Sequence, residues 1–566
     1  MRDPYNPEYI ASVEMPAELL RAVEAAVSAG FDAGHFSPEA IQSWSEGLGY
    51  GRQIILPLAY LFTCRESRLA GDERLAAAAR AVGETLARDG KYEHRQLWAL
   101  VEAKRLLREA GRAGELGMTD ESAERSAAEL AERLRGYRYL THMTSSNMGT
   151  STNHVAIMAA ALLRWAQDAG RQEWAVLARE TALKIVRDQH PDGWWAETTG
   201  GPTFLYNCLT MTAMGRVAVA TGEDVFMQSA LRAAGVHMRF SYPDGCFVET
   251  VDGRCRYHSV PMIWGGFVFS RTPAGRGYAA LRMRTVRERS PVTTAIRYSG
   301  EHLALMCEDH ALWKPGEVEP PPCLRRRYVE TLSVGGMIRR EGPWAVGFAS
   351  EAHFPRPGAN FTIDRQNILS VWHARTGLIV NGSGEDDRPE TATFRINPMW
   401  SSQHRLQVAE EISMEPGRAK GAPATLTAEY RGGTCRMEVR FVSPTELDVR
   451  FTAGCAESLY PVHLTVPLEL AYGGELRWRG GRKVLAPGER CDLAAEETGG
   501  SLGFGAWELE VSPLGEGAAP ARLEWPYDPH NPYSPDKKSS PGMHVGLLRV
   551  ELPPDGARLV IRIKEA

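Results

Sequence analysis

The chain has 566 residues, 43% of them hydrophobic, and a formal net charge of −5 at pH 7. The apolar fraction suffices for a large buried core, and the length allows two large domains or about three or four average ones. A near-neutral balance argues against nucleic acid as the main partner, since phosphate binding wants a basic excess.

The N-terminus, MRDPYNPEYIASVEMP, carries no apolar leader-like run. No apolar stretch is long enough to span a bilayer. The simplest expectation is a cytoplasmic protein with no membrane partner; a secreted form trimmed of its leader is the alternative. The nine cysteines show no CxxC or metal-finger spacing. Cys64, Cys208, Cys246 and Cys307 lie in apolar contexts, as reduced core residues do. Oligomeric state is not legible.

Residues 18 to about 310 read as helices. AELLRAVEAAVSAG, DERLAAAARAVGETLARDG, HRQLWALVEAKRLLREAG and ESAERSAAELAERLRG place apolar residues at i, i+3 and i+4. Two pairs come next: HVAIMAAALLRWAQDAG with QEWAVLARETALKIVRDQ, then LYNCLTMTAMGRVAVATG with DVFMQSALRAAGVHMRF. PDGWWAETTGG at Pro191 is echoed by PDGCFVETVDG at Pro243, an interval of 52 residues. That interval suits one helical hairpin plus a loop, hence a solenoid or closed toroid; a recurring Pro-Asp-Gly turn without deeper meaning is the alternative.

KPGEVEPPPCLRRR marks a linker near 314–327. Beyond it, segments such as PWAVGFAS, RMEVRFVS, ELDVRFTAG, VHLTVPLEL and ARLVIRIKEA alternate apolar and polar residues between turns. Such a series predicts an antiparallel β-sandwich. The expected domains are helical over 1–315 and sandwich over 328–566.

Three polar clusters fall at loop-to-helix junctions. The first, SSNMGTSTNH, holds Asn147, Asn153 and His154. The second, DGWWAETTGGPTFLYN, holds Asp192, Trp194, Trp195, Glu197 and Tyr206; the third, DGCFVETVDGRCRYH, holds Asp244, Glu249, Asp252, Arg256, Tyr257 and His258. In a toroid alternate junctions gather at one end, so the three could share a cleft. Trp194 and Trp195 cannot easily face one core together, so at least one is expected to offer a flat face to a sugar ring. Amides and Arg256 could neutralise a carboxylate, while a tyrosine or histidine takes and returns a proton. That inventory suits β-elimination on a uronic acid, with no cofactor. Each residue also has a plainer reading. Asn153 can simply cap its helix, His154 and Tyr206 can be packed core groups, Glu197 and Glu249 can cap helices or join ion pairs, and Arg256 and His258 can be solvated.

The Asn-His pair opening an Ala/Leu-rich helix (STNHVAIMAAALLRWA), the DGWWAE stretch followed by Tyr206, and the later PDGCFVETVDG resemble, in order and spacing over about residues 140–260, the heparinase II/III-like polysaccharide lyases. The resemblance implies an α+β chain: an incomplete (α/α) toroid followed by an antiparallel β-sandwich, with a cleft between them. It implies a lyase acting on a uronate-containing polysaccharide or oligosaccharide. Carried over by position, Asn153 would neutralise the carboxylate and Tyr206 would be acid, base or both. His258 is a second proton-transfer candidate. Asn147, His154, Trp194, Trp195, Glu197, Arg256 and Tyr257 would bind substrate. Family members often carry an HxHxD segment in the sandwich; here FTIDRQNILSVWHARTG puts Arg365 and Asn367 where a histidine and an aspartate stand. His353 or His404 would supply that imidazole instead, and no metal is expected.

Two other functions fit the same residues. A glycoside hydrolase on a toroid would use two of Asp192, Glu197, Asp244, Glu249 and Asp252. A non-catalytic carbohydrate-binding protein would keep the cleft without the chemistry.

Overall fold

The computed structural model describes residues 7–42, 51–90, 92–136, 152–195, 202–252, 264–289, 300–351, 365–382, 393–396, 409, 411–430, 433–455, 462–527 and 545–564. Helices fill its N-terminal half and two antiparallel sheets its C-terminal half.

The helices form an α/α toroid. Ile55–Thr63, His94–Glu109, Thr152–Asp168 and Phe204–Thr221 pack side by side as an inner row. Glu73–Asp89, Asp120–Gly136, Gln172–Arg187 and Asp224–Arg239 lie between them in sequence and outside them in space. Gly266–Phe269 and Gly300–Leu312 continue the row, and Gly300–Leu312 packs on Ile55–Thr63 and Met15–Asp32. Composition explains the two layers. Phe204–Thr221 is apolar nearly all round and buries Phe204, Leu209, Met211, Met214 and Val217, as a helix surrounded by others must. Gln172–Arg187 buries only the stripe Ala178, Thr181, Ala182 and Ile185.

The echoed loops make one and the same turn. In the first, the Trp194 carbonyl accepts from the His190 amide and Gly193 N–H donates back to His190 O. In the second, the Cys246 carbonyl accepts from Tyr242 N–H and Gly245 N–H donates to Tyr242 O. Gly193 (φ 105°) and Gly245 (φ 84°) occupy the left-handed region that the turn requires.

The first sheet runs Arg327–Leu332, Gly336–Glu341, Trp344–Glu351, Arg365–His373, Gly377–Val380, Val462–Glu469, Val545–Glu551, Ala521–Tyr527, with Phe394–Ile396 also on Val462–Glu469. The second runs Gly481–Val484, Glu475–Trp478, Ser501–Phe504, Trp507–Pro513, Ala557–Ile563, Glu446–Cys455, Gly433–Ser443, Ala424–Tyr430, Glu411–Glu415. The sheets close on Val346, Phe348, Val371, Val449, Leu509 and Ile561. Side chains alternate along a strand, so the next residues in the first sheet, Ala345 and Trp372, point the other way into the helical core, with Ile338 beside them. The first sheet is thus buried on both faces, and that second face fixes the sandwich on the toroid.

Candidate functional site

The inner helices bring their early turns to one end of the ring. A small pocket there is lined by Gln53, Arg95, Trp98, Ile157, Leu209, Thr212, Arg216, Glu301 and Leu305, drawn from successive inner helices. His94 and Arg95 open His94–Glu109, Asn153 and His154 open Thr152–Asp168, Tyr206 lies in the first turn of Phe204–Thr221, and Glu301 and His302 open Gly300–Leu312.

Asn153 is 1% exposed, and its side-chain carbonyl accepts from the His154 amide at 2.8 Å. The amide is therefore held at its own helix start. Tyr206 begins the adjoining helix and is half-buried. His154 Nδ1 lies 3.1 Å from His94 Nε2, and the rings meet edge to face. Burial, with the nearby His154 and Arg95, pushes His94 down to about 3. Burial, with Arg95 and Arg133, pushes His154 down to about 4. His302, beside Trp264 at a ring separation of 5.2 Å, is likewise lowered by burial to about 4. All three imidazoles are neutral near pH 7. A ring so reluctant to take a proton is a poor general base and a good hydrogen-bonding or ligating group. Arg95 donates to Glu301 at 3.1 Å, while burial raises the Glu301 carboxyl.

The paired indoles correct an expectation. Trp194 is 0% and Trp195 2% exposed. Trp194 stacks on His190 at 4.2 Å, and Trp195 donates from Nε1 to Ile185 O at 2.9 Å. The two rings do not alternate about a strand axis; the turn at Gly193 sends both inward. Neither presents a face to a sugar; the ring that lines the pocket described above is Trp98.

The carboxylates of the second and third clusters hold the fold together. Asp192 Oδ2 accepts from Ser333 N and Oγ at 2.8 and 2.7 Å. Asp244 Oδ2 accepts from Trp372 Nε1 at 3.1 Å. Glu249 accepts from Tyr242 Oη at 2.9 Å and from Gly382 N at 3.0 Å; burial lifts it to about 7. Asp252 Oδ1 accepts from Phe204 N at 3.2 Å, at the start of the Tyr206 helix. Three of these four reach from toroid to sandwich. Asn147, Glu197, Arg256, Tyr257, His258, His353 and His404 lie outside the described residues. In the sandwich, His373 Nε2 faces Pro444 O at 3.1 Å and Nδ1 accepts from Arg375 N at 3.1 Å, so both nitrogens are committed.

Sequence reading missed His94, Arg95, Glu301 and His302. The signal was present: EHRQLWALV and GEHLALM each put polar residues at the head of an apolar run, as STNHVAIM does. Among the described residues, Glu93, His94 and His154 form one group able to hold a metal ion.

No family model matches the chain, and no curated protein matches it. Solved structures do. Heparinase III is 12% identical with a TM-score of 0.48, over 92% of this chain and 78% of that one. A Streptomyces coelicolor A3 chondroitin AC lyase in complex with chondroitin sulphate is 13% identical with a TM-score of 0.44, over 98% and 80%. A Pedobacter heparinus heparan sulfate lyase is 10% identical with a TM-score of 0.45, over 91% and 76%.

Proposed function

We propose that this chain is a lyase that cleaves a uronic-acid-containing polysaccharide or oligosaccharide by β-elimination. One observation supports the reading: a buried amide, neutral imidazoles, a phenol and an arginine each lie in the first turn of an inner helix. The C5 proton of a uronate is very weakly acidic, so the reaction needs the carboxylate's charge met as the enolate-like intermediate forms. The Asn153 amide and Arg95 supply donors for that. A base then removes the C5 proton, the C4–O4 bond breaks, a C4=C5 double bond forms and the leaving oxygen receives a proton. Tyr206 suits the proton steps, since His94 and His154 are held far below their ordinary range. His258 is the further candidate for the second proton.

The test is an absorbance screen over glucuronan, alginate, hyaluronan, chondroitin, heparan and ulvan-type oligosaccharides. The conjugated double bond of an eliminated product absorbs in the ultraviolet, and a rise on at least one substrate is expected. New reducing ends without absorbance would indicate a hydrolase, and binding without either would indicate a carbohydrate-binding protein. The engagement of Asp192, Asp244, Glu249 and Asp252 in holding the fold weighs against the hydrolase.

A further inference from the structure

We propose that Glu93, His94 and His154 form a binding site for a divalent transition metal, zinc above all, at the rim of the mouth. The candidate ligand atoms of the three residues all lie within 4.8 Å of one another. His94 Nε2 stands 3.1 Å from His154 Nδ1 and 3.6 Å from Glu93 Oε1. With zinc–ligand bonds of about 2.0–2.1 Å, ligand atoms on a tetrahedral ion are about 3.3–3.4 Å apart. The two observed separations straddle that value, so small side-chain rotations admit the ion.

The donor set points to the class of metal. Two imidazoles and a carboxylate suit zinc and its neighbours, whereas magnesium and calcium want oxygen throughout. Three protein ligands leave a fourth position open, the pattern of a site that keeps a water or a substrate oxygen. The surroundings are graded to match: His94 is buried, His154 half-buried and the Glu93 side chain 45% exposed. Arg95 Nε is 3.9 Å from Glu93 Oε1 but donates at 3.1 Å to Glu301, so a cation on Glu93 leaves Arg95 its partner. Such an ion would tie the start of His94–Glu109 to that of Thr152–Asp168, beside Asn153. The sequence reading expects no metal because Arg365 and Asn367 stand where the sandwich histidine and aspartate would be; Glu93-His94 and His154, which are far apart in the chain, do not enter it.

The experiment uses the full chain without a histidine tag, stripped by chelator and titrated with zinc by calorimetry. Cobalt(II) is the spectroscopic probe. The expected result is one zinc per chain, and visible cobalt bands of a four- or five-coordinate site. Replacing a direct ligand (His154→Ala, His94→Gln or Glu93→Gln) should weaken zinc binding by about 100-fold or more, beyond the range for residues that only support a ligand. Because His94 is buried, Glu93→Gln, on an exposed side chain, is the variant least able to disturb folding, and circular dichroism confirms its fold. Absence of zinc binding in the wild type, or an unchanged affinity in folded Glu93→Gln and His154→Ala, overturns the site. Zinc is measured without any sugar, so failure of the lyase proposal leaves this one standing.

Discussion

At the far end of the inner helices, Arg105 and Arg164 both bind Glu102, Arg105 also binds Glu109, and Arg216 clamps Glu308 with two contacts of 2.8 and 2.9 Å. Glu102, Arg105, Arg164, Arg216 and Glu308 line a pocket of about 110 Å³ with Tyr60, Trp98 and Leu312. At the near end stand an amide, a phenol, neutral imidazoles and the single pair Arg95–Glu301. The far pocket is the larger, yet its cations are already matched by anions of the same protein. The near one has Gln53, Thr212 and the Arg95–Glu301 pair, beside the Arg216 that it shares with the far one. Between the two ends the Arg216 guanidinium lies 3.4 Å over the Trp98 ring centre, and both residues line both pockets.

The contrast can be tested, beginning with the largest effect. Tyr206→Phe should lower turnover by about 10²–10⁴-fold if the phenol moves a proton, measured as initial ultraviolet absorbance rates on the best substrate. Asn153→Ala should lower kcat by about 10²–10³-fold, the usual loss when one donor to a developing oxyanion is removed. If KM alone rises, the amide serves only ground-state binding. At the far end the effect belongs to stability instead. Glu308→Gln strands Arg216 in a buried setting and should cost about 3–5 kcal/mol in denaturant unfolding. An unchanged midpoint would show that the ion pairs there are not structural and would blur the distinction between the ends.

Most of the architecture was legible because periodicity is a local property. Helical spacing before the linker and alternation after it gave the two halves, and Asn153 and Tyr206 stood out as polar groups heading apolar runs. The His94-Arg95 pair went unnoticed because HRQLWALVEAKRLLREAG also reads as an amphipathic surface helix, whose charges default to solvent. The carboxylates were ambiguous for a different reason. Nothing near Asp244 in sequence announces that its partner is Trp372, 128 residues away. The indoles misled because adjacent residues alternate along a strand but not through a turn at a left-handed glycine.

A smaller effect concerns acidity. His237 is wholly buried against Asn207 and Cys208, and burial lowers it from 6.5 to about 3. Its folded form resists a proton that the unfolded chain accepts, so the stabilisation is complete above about pH 6.5 and drains away as pH falls toward 3. Thermal unfolding between pH 7 and pH 4 should show a falling midpoint, and His237→Gln should flatten that slope. A slope untouched by the substitution would assign the acid sensitivity to other groups.

The hydrogen bond from Phe204 N to Asp252 has a practical corollary for anyone reshaping this protein. Arg256, Tyr257 and His258 follow closely in sequence the aspartate that caps the Tyr206 helix. Replacing that segment together with the junction cannot be a neutral graft: a donor sequence lacking an acid at position 252 would leave the first amide of the Tyr206 helix without its acceptor and loosen that helix start. Libraries over this segment should therefore hold Asp252 fixed and diversify only positions C-terminal to it.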